Sequence, residues 1–227
     1  MKNRAFTLAE TLITLGIIGI IAAITIPTII TKYKIYVTAS KLNKFYNLIS
    51  NAYLRAKKDN GDIDTWNLIS HEESTELEND ILYYLIPYIH VIKNCGRTQK
   101  GCAPENTYYT SIGTTGFGAY IDGNPYYAKA ILNDGEMISS LTYNNSCSNT
   151  GSPCAQLRLD VNDSKGPNRL GVDLFSFFVY KDMIAPGGLQ NGINSDYYIN
   201  RGDLCTAHVM YEKNMNYIKE GKCEPYK

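Results

Sequence analysis

From Thr11 to Thr31 the chain carries twenty-one consecutive uncharged, mostly apolar positions. A helix rises about 1.5 Å per residue, so this run is long enough for the roughly 30 Å hydrocarbon core of a bilayer. The pattern then changes. Ile35, Ala39, Leu42, Tyr46, Ile49, Tyr53 and Ala56 recur at alternating steps of four and three, the stripe of an amphipathic helix. The spacing predicts one continuous helix from about Phe6 to Lys58, near 80 Å at helical rise, with the stripe against a globular head and the lysines outside. Asp59-Asn60-Gly61 supplies the turn chemistry that ends it.

After a polar stretch, Ile81 to Ile92 reads as a short, largely buried helix interrupted near Pro87, and strand patterns follow. Ala128–Leu132 and Met137–Leu141 flank Asn133-Asp134-Gly135-Glu136, where Asp-Gly signals a hairpin. Ala155 to Val161 alternates, predicting Ala155, Leu157, Leu159 and Val161 inward and Gln156, Arg158 and Asp160 outward. Asp173 to Tyr180 is expected to be the final strand, reached through a turn from Asn162 to Gly171. A long helix on a small antiparallel sheet is an α+β arrangement.

Only one charge interrupts the start of the apolar helix. Glu10 lies near the beginning of the run, and an ionised side chain at a bilayer centre costs about 2.5 to 3.5 kcal/mol, so it asks for a cation. A short basic leader with Lys2 and Arg4, small Ala5, then Phe6, with Glu10 four residues on and a long apolar helix behind it, resembles the processing signal of type IV pilin-like proteins. Ala5 stands where that family usually has glycine. The resemblance covers about the first thirty residues. It implies cleavage between Ala5 and Phe6 by a membrane prepilin peptidase, methylation of the Phe6 amine, and pairing of Glu10 with the Phe6 amine of a neighbouring subunit. It also implies a pilin-like α+β architecture. Gly16, Gly19 and Pro27 sit where pilin helices carry similar breakers. The expected organisation is a leader (1–5), a membrane-spanning assembly half of the helix (6–31), its amphipathic half (32–58) and an exported head (59–227). A secretory signal peptide has a shorter apolar core; an ordinary signal anchor fits the length but leaves Glu10 and the Ala5-Phe6 junction unexplained.

Charge sharpens the picture below the formal neutrality of 22 basic and 22 acidic residues. Residues 32–58 hold Lys32, Lys34, Lys41, Lys44, Arg55, Lys57 and Lys58 without an acid, and 59–80 hold Asp59, Asp62, Asp64, Glu72, Glu73, Glu76, Glu78 and Asp80 without Lys or Arg. These blocks either neutralise each other within one subunit or set register between stacked subunits, each exposed pair contributing about 0.2 to 1 kcal/mol. All six cysteines, Cys95, Cys102, Cys147, Cys154, Cys205 and Cys223, lie beyond the anchor. That placement favours disulfides in an oxidising compartment, and hence a head stapled on the exported side of the cytoplasmic membrane. Of fifteen pairings, the sequential one is favoured because the first two pairs bracket polar loops and the third clips a C-terminal segment, His208 to Lys219, with helical character. Zinc is the other reading, although zinc pairs usually stand closer together.

Chemistry in the head is sparse. His71, His90 and His208 form no recognised ligand set, and Arg201-Gly202-Asp203 is a triplet that arises often by chance. Asp160, Asn162, Asp163 and Asp173 around one loop offer the oxygen ligands that calcium prefers, though Asp, Asn, Gly and Pro are also what a tight strand connection needs. No other cofactor is expected. The sequence reads as a filament subunit rather than an enzyme, with a prepilin peptidase and methylase, other pilin-like subunits and a membrane assembly platform as partners. A type II secretion pseudopilin is favoured, because a chain of balanced charge without a basic patch in its head argues against direct nucleic-acid binding. A type IV pilus or DNA-uptake minor pilin is the nearest alternative, and a signal-anchored exported binding protein that never polymerises is the alternative of another class.

Overall fold

The computed structural model describes residues 7–103, 108–113, 118–162, 165–189 and 196–226. The chain divides into two units, Met1–Val37 and Thr38–Lys227, and helix α1 (Leu8–Asn60, 53 residues) belongs to both. In the first unit, Leu8, Leu12, Ile13, Leu15, Ile17 and the apolar residues that follow are exposed, as a lipid-facing segment requires. Its threonines hide their hydroxyls by bonding back into the helix: Thr14 donates to the Glu10 carbonyl, Thr25 to Ile21 and Thr31 to Pro27, each at 2.9 Å. Polar side chains are thereby satisfied without water. Pro27 lies inside the continuous helix, and Gly61, with φ of +81°, follows its end.

In the second unit a six-stranded antiparallel sheet has the order β1-β4-β5-β6-β7-β8. The strands are β1 (Val91–Gly96), β4 (Ala128–Leu132), β5 (Met137–Thr142), β6 (Ala155–Asp160), β7 (Leu174–Val179) and β8 (Ile184–Pro186). β2 (Tyr108–Thr110) and β3 (Gly118–Tyr120) form a separate two-stranded ribbon. The head half of α1 buries Ala39, Leu42, Phe45, Ile49, Ala52, Tyr53 and Ala56. Relative to the predicted stripe it gains Phe45 and Ala52, while Ile35 and Tyr46 are only half-buried, because a helix lying on a flat sheet buries positions flanking its central line. Phe45 meets Phe177 edge-on at 5.1 Å and Tyr46 stacks on the same ring at 6.3 Å. The Tyr53 hydroxyl donates to the carbonyls of Tyr180 and Lys181 at 2.9 and 2.8 Å. This is the long helix on an antiparallel sheet, with a disulfide-bonded head, that the sequence predicts.

Four expectations about elements need correction. The helix predicted through Ile92 stops earlier: α2 covers Ile81–Leu85, a 3-10 turn spans Ile86–Tyr88 at Pro87, and Val91-Ile92 already belong to β1. β7 is not the last strand, since β8 pairs with it (Phe177 opposite Pro186). The polar face of β6 is not solvated either. Gln156, Arg158 and Asp160 are all buried, because residues 196–226 bring polar groups to that side of the sheet: Gln156 Nε2 donates to Asp203 Oδ1 at 2.6 Å and to Ser176 Oγ at 3.0 Å, and Thr206 Oγ1 donates to the Ser176 carbonyl at 2.8 Å. Close approach is part of the same packing. A Cβ on Gly187 would lie 1.9 Å from the Asp203 carbonyl oxygen, so only glycine fits there. The C-terminal segment after α3 (Asp196–Arg201) is a π turn at His208–Glu212 and a 3-10 turn at Asn216–Lys219 rather than one helix.

Candidate functional site

Helix α1 begins with a reciprocal cap. Thr7 donates from its backbone N–H and its hydroxyl to Glu10 Oε2 at 2.8 and 2.9 Å, while the Glu10 N–H donates to Thr7 Oγ1 at 3.2 Å. This is a capping box. In the single chain the carboxylate is therefore held at the helix start by its own first turn, beside the positive end of the helix dipole. An ammonium group arriving at the same edge finds an acceptor already fixed in position, with Oε1 absent from these bonds. Ala5 and Phe6 lie outside the described residues.

Elsewhere the candidate groups have local tasks. Disulfides join Cys95 to Cys102, Cys147 to Cys154 and Cys205 to Cys223. In the loop considered for calcium, Asp173 Oδ1 accepts the Arg169 N–H at 2.7 Å, and its Oδ2 accepts Asn168 N–H at 2.8 Å and Asn162 Nδ2 at 3.3 Å. Asp160 Oδ1 accepts the Asn162 N–H at 3.1 Å. Carboxylates engaged in this way shape a turn. Asp163 lies outside the described residues, among which no group of three or more His, Cys, Asp or Glu side chains is arranged to hold a metal. His71 Nδ1 donates to the Thr142 carbonyl at 2.9 Å, His208 Nε2 to that of Glu224 at 2.8 Å, and His90 is exposed. Arg201 and Asp203 are buried and paired at 3.2 Å, unlike an adhesion loop.

A family model described as a family of unknown function (DUF6613) matches residues 28–222. The chain belongs to that family. A second model, the prokaryotic N-terminal methylation motif, matches residues 1–26 and makes the protein a type IV pilin-like prepilin. No curated protein and no solved structure matches it. Prepilins of this kind are structural subunits, processed by a peptidase and assembled with other pilin subunits. Among the described residues of this prepilin, one helix, α1, is long and apolar enough to cross a membrane, which fits an anchor in the inner membrane.

Sequence reasoning missed the Thr7 cap, although Thr7-Leu8-Ala9-Glu10 ahead of an apolar run is the written signature of a capping box. It also missed two buried charges in the prepilin head. Asp80 is fully buried and accepts from Arg97 Nη2 at 2.7 Å, Thr142 Oγ1 at 3.0 Å, the Leu82 N–H at 2.8 Å and the Ser140 hydroxyl. Lys129 is buried, donating to the carbonyls of Arg97 at 2.6 Å and Asn124 at 3.0 Å. Burial lowers its pKa from the usual 10.5 to about 8, against the pull of Asp122. Asp80 also caps α2 through the Leu82 N–H, a local signal for an N-cap, but the burial of both charges depends on Arg97, which lies 17 residues from Asp80 and 32 from Lys129.

Proposed function

We propose that this prepilin is a subunit of a type II secretion pseudopilus. The leader Met1–Ala5 is removed before Phe6, the new amine is methylated, and Glu10, still capping Thr7 through Oε2, offers Oε1 to the Phe6 amine of a neighbouring subunit as the helix enters the filament. Residues 6–31 anchor the protein by a single pass in the cytoplasmic membrane, residues 32–58 extend the helix, and residues 59–227 form the exported head. The observation carrying this reading is the preorganised carboxylate at the start of the uncharged run Thr11 to Thr31, within the stretch that matches the methylation motif. The cysteines, all paired, support the head lying in an oxidising compartment.

The choice of secretion over a pilus or DNA-uptake fibre rests on the neutral charge balance. Deletion of the gene tests it. Folded exported proteins should accumulate behind the outer membrane while surface fibres and DNA uptake persist. Unchanged secretion with loss of fibres or of transformation would assign the subunit to another machine.

A further inference from the structure

The opposite charge blocks are partly neutralised inside the subunit, and what remains is specific. Lys41 pairs with Glu136 at 3.0 Å and Lys44 with Asp134 at 2.5 Å, both on the β4–β5 hairpin. Lys57 pairs with Asp62 at 3.0 Å and Asp182 at 2.9 Å, and Lys181 holds Asp64. Asp59 accepts the Tyr88 hydroxyl at 2.6 Å, and Asp80 is buried with Arg97. Lys41 and Lys44 are thus committed to their own head.

Two groups are left over in the head. On α1, Arg55 and Lys58 are exposed and have no carboxylate partner among the described residues. They lie on the helix face directed away from the sheet, which runs through Asn47, Asn51 and Leu54, the last 61 % exposed. In the acidic segment, Glu73, Glu76 and Glu78 are exposed and without a cation among the described residues, and exposed Glu72 has only His71, at 4.0 Å. This segment is held from behind: the Ser74 carbonyl accepts from buried Arg97, and Asn79 is buried against Ser74 and Asn67. It is a fixed acidic edge, opposite in sign to an unpartnered helix face that also offers an apolar foothold.

We propose that the outward face of α1 at Asn51–Lys58 docks the Glu72–Glu78 segment of a second copy of this chain. Charge complementarity selects the occupant: the helix face and the segment are the oppositely charged halves of the two blocks that the subunit leaves unmatched. Within one copy they do not pair, so the match is completed between copies. The inference rests on the filament reading, in which copies stand side by side with their helices parallel.

The test uses the full chain in a host with an active prepilin peptidase. A photo-reactive benzoylphenylalanine replaces Asn51, one helical turn from Arg55, and cross-links are mapped by peptide mass spectrometry in the sheared filament fraction. The expected link joins position 51 of one copy to a peptide within residues 70–80 of another. Glu73→Lys with Glu76→Lys and Glu78→Lys should reduce it about tenfold, as the loss of the weak attractions to Arg55 and Lys58 implies, and Arg55→Glu with Lys58→Glu in the same chain should restore it. A link to a different protein or a different segment, insensitivity to the triple reversal, or no restoration by the compensating reversal each overturns the docking while leaving the filament reading in place. Absence of the unsubstituted protein from the sheared fraction removes the filament reading itself.

Discussion

Thr7 and Glu10 illustrate how one carboxylate can serve twice. A capping box stabilises a helix start by about 1 kcal/mol, and glutamine can occupy the same position in it. Glu10→Gln is therefore expected to insert and to begin its helix normally, yet to lose the anion that attracts a neighbour's amine. Membrane fractionation should find wild-type levels of the variant protein, while sheared filaments should lack it; normal incorporation would show that the charge is dispensable. Lys129 makes a separate prediction in the head. Its pKa falls to about 8 on folding because burial disfavours the ammonium, so between about pH 8 and 10 the unfolded chain binds more protons than the native one. Stability contributed by this residue accordingly rises across that window, by at most about 1.4 kcal/mol per pH unit. Above it, buried Tyr53, Tyr180 and Tyr217, whose pKa values burial raises, reverse the trend. Urea midpoints of the detergent-solubilised protein should climb from pH 8 to 10, and Lys129→Met should flatten that climb.

At the scale of elements, what was legible depended on whether the signal was local. The helix end at Asn60 and the hairpin around Asp134-Gly135 were legible because turn residues and periodicity lie in adjacent positions. β6 was placed along the chain but misread in depth: Gln156 and Arg158 look solvated until a segment forty residues later brings Asp203 to them. The site was legible to a similar degree. Glu10 stood out as the one charge in an apolar run, whereas Asp80 and Lys129 are held in the interior by Arg97, far from both along the chain. The same distinction applies to Lys41, which reads as a solvated helix lysine but docks α1 on the hairpin by pairing with Glu136 and donating to the Val161 carbonyl at 2.5 Å. Glu136 is nearly buried and its pKa is raised, chiefly by that burial. Lys41→Met should cost about 1 to 3 kcal/mol, below the figure for a fully buried pair because the lysine is 37 % exposed. The deficit should shrink in acid, where protonated Glu136 needs no cation. Addition of Glu136→Leu should recover much of the loss at neutral pH; equal destabilisation of the single and double variants would mean that the pair does not hold the hairpin.

For the whole molecule, two kinds of order meet in one chain. The first unit gains nothing from burial on its own: its apolar residues are exposed, its threonines are satisfied internally, and lipid or other helices must supply the apolar surroundings. The second carries its own core between α1 and the sheet, a buried polar layer behind the sheet, and disulfides whose short closures each restrict the unfolded chain by roughly 2.5 to 3 kcal/mol on the entropy model. An anchor that waits for neighbours and a head that is stable without them are what a prepilin requires, since it must reside in the membrane before it joins a polymer. That account turns on processing at the Ala5-Phe6 junction. Intact-mass and N-terminal peptide analysis of the protein extracted from membranes of a host with active prepilin peptidase should find a chain beginning at N-methyl-Phe6. Recovery of the unprocessed chain beginning at Met1 from that host would contradict it.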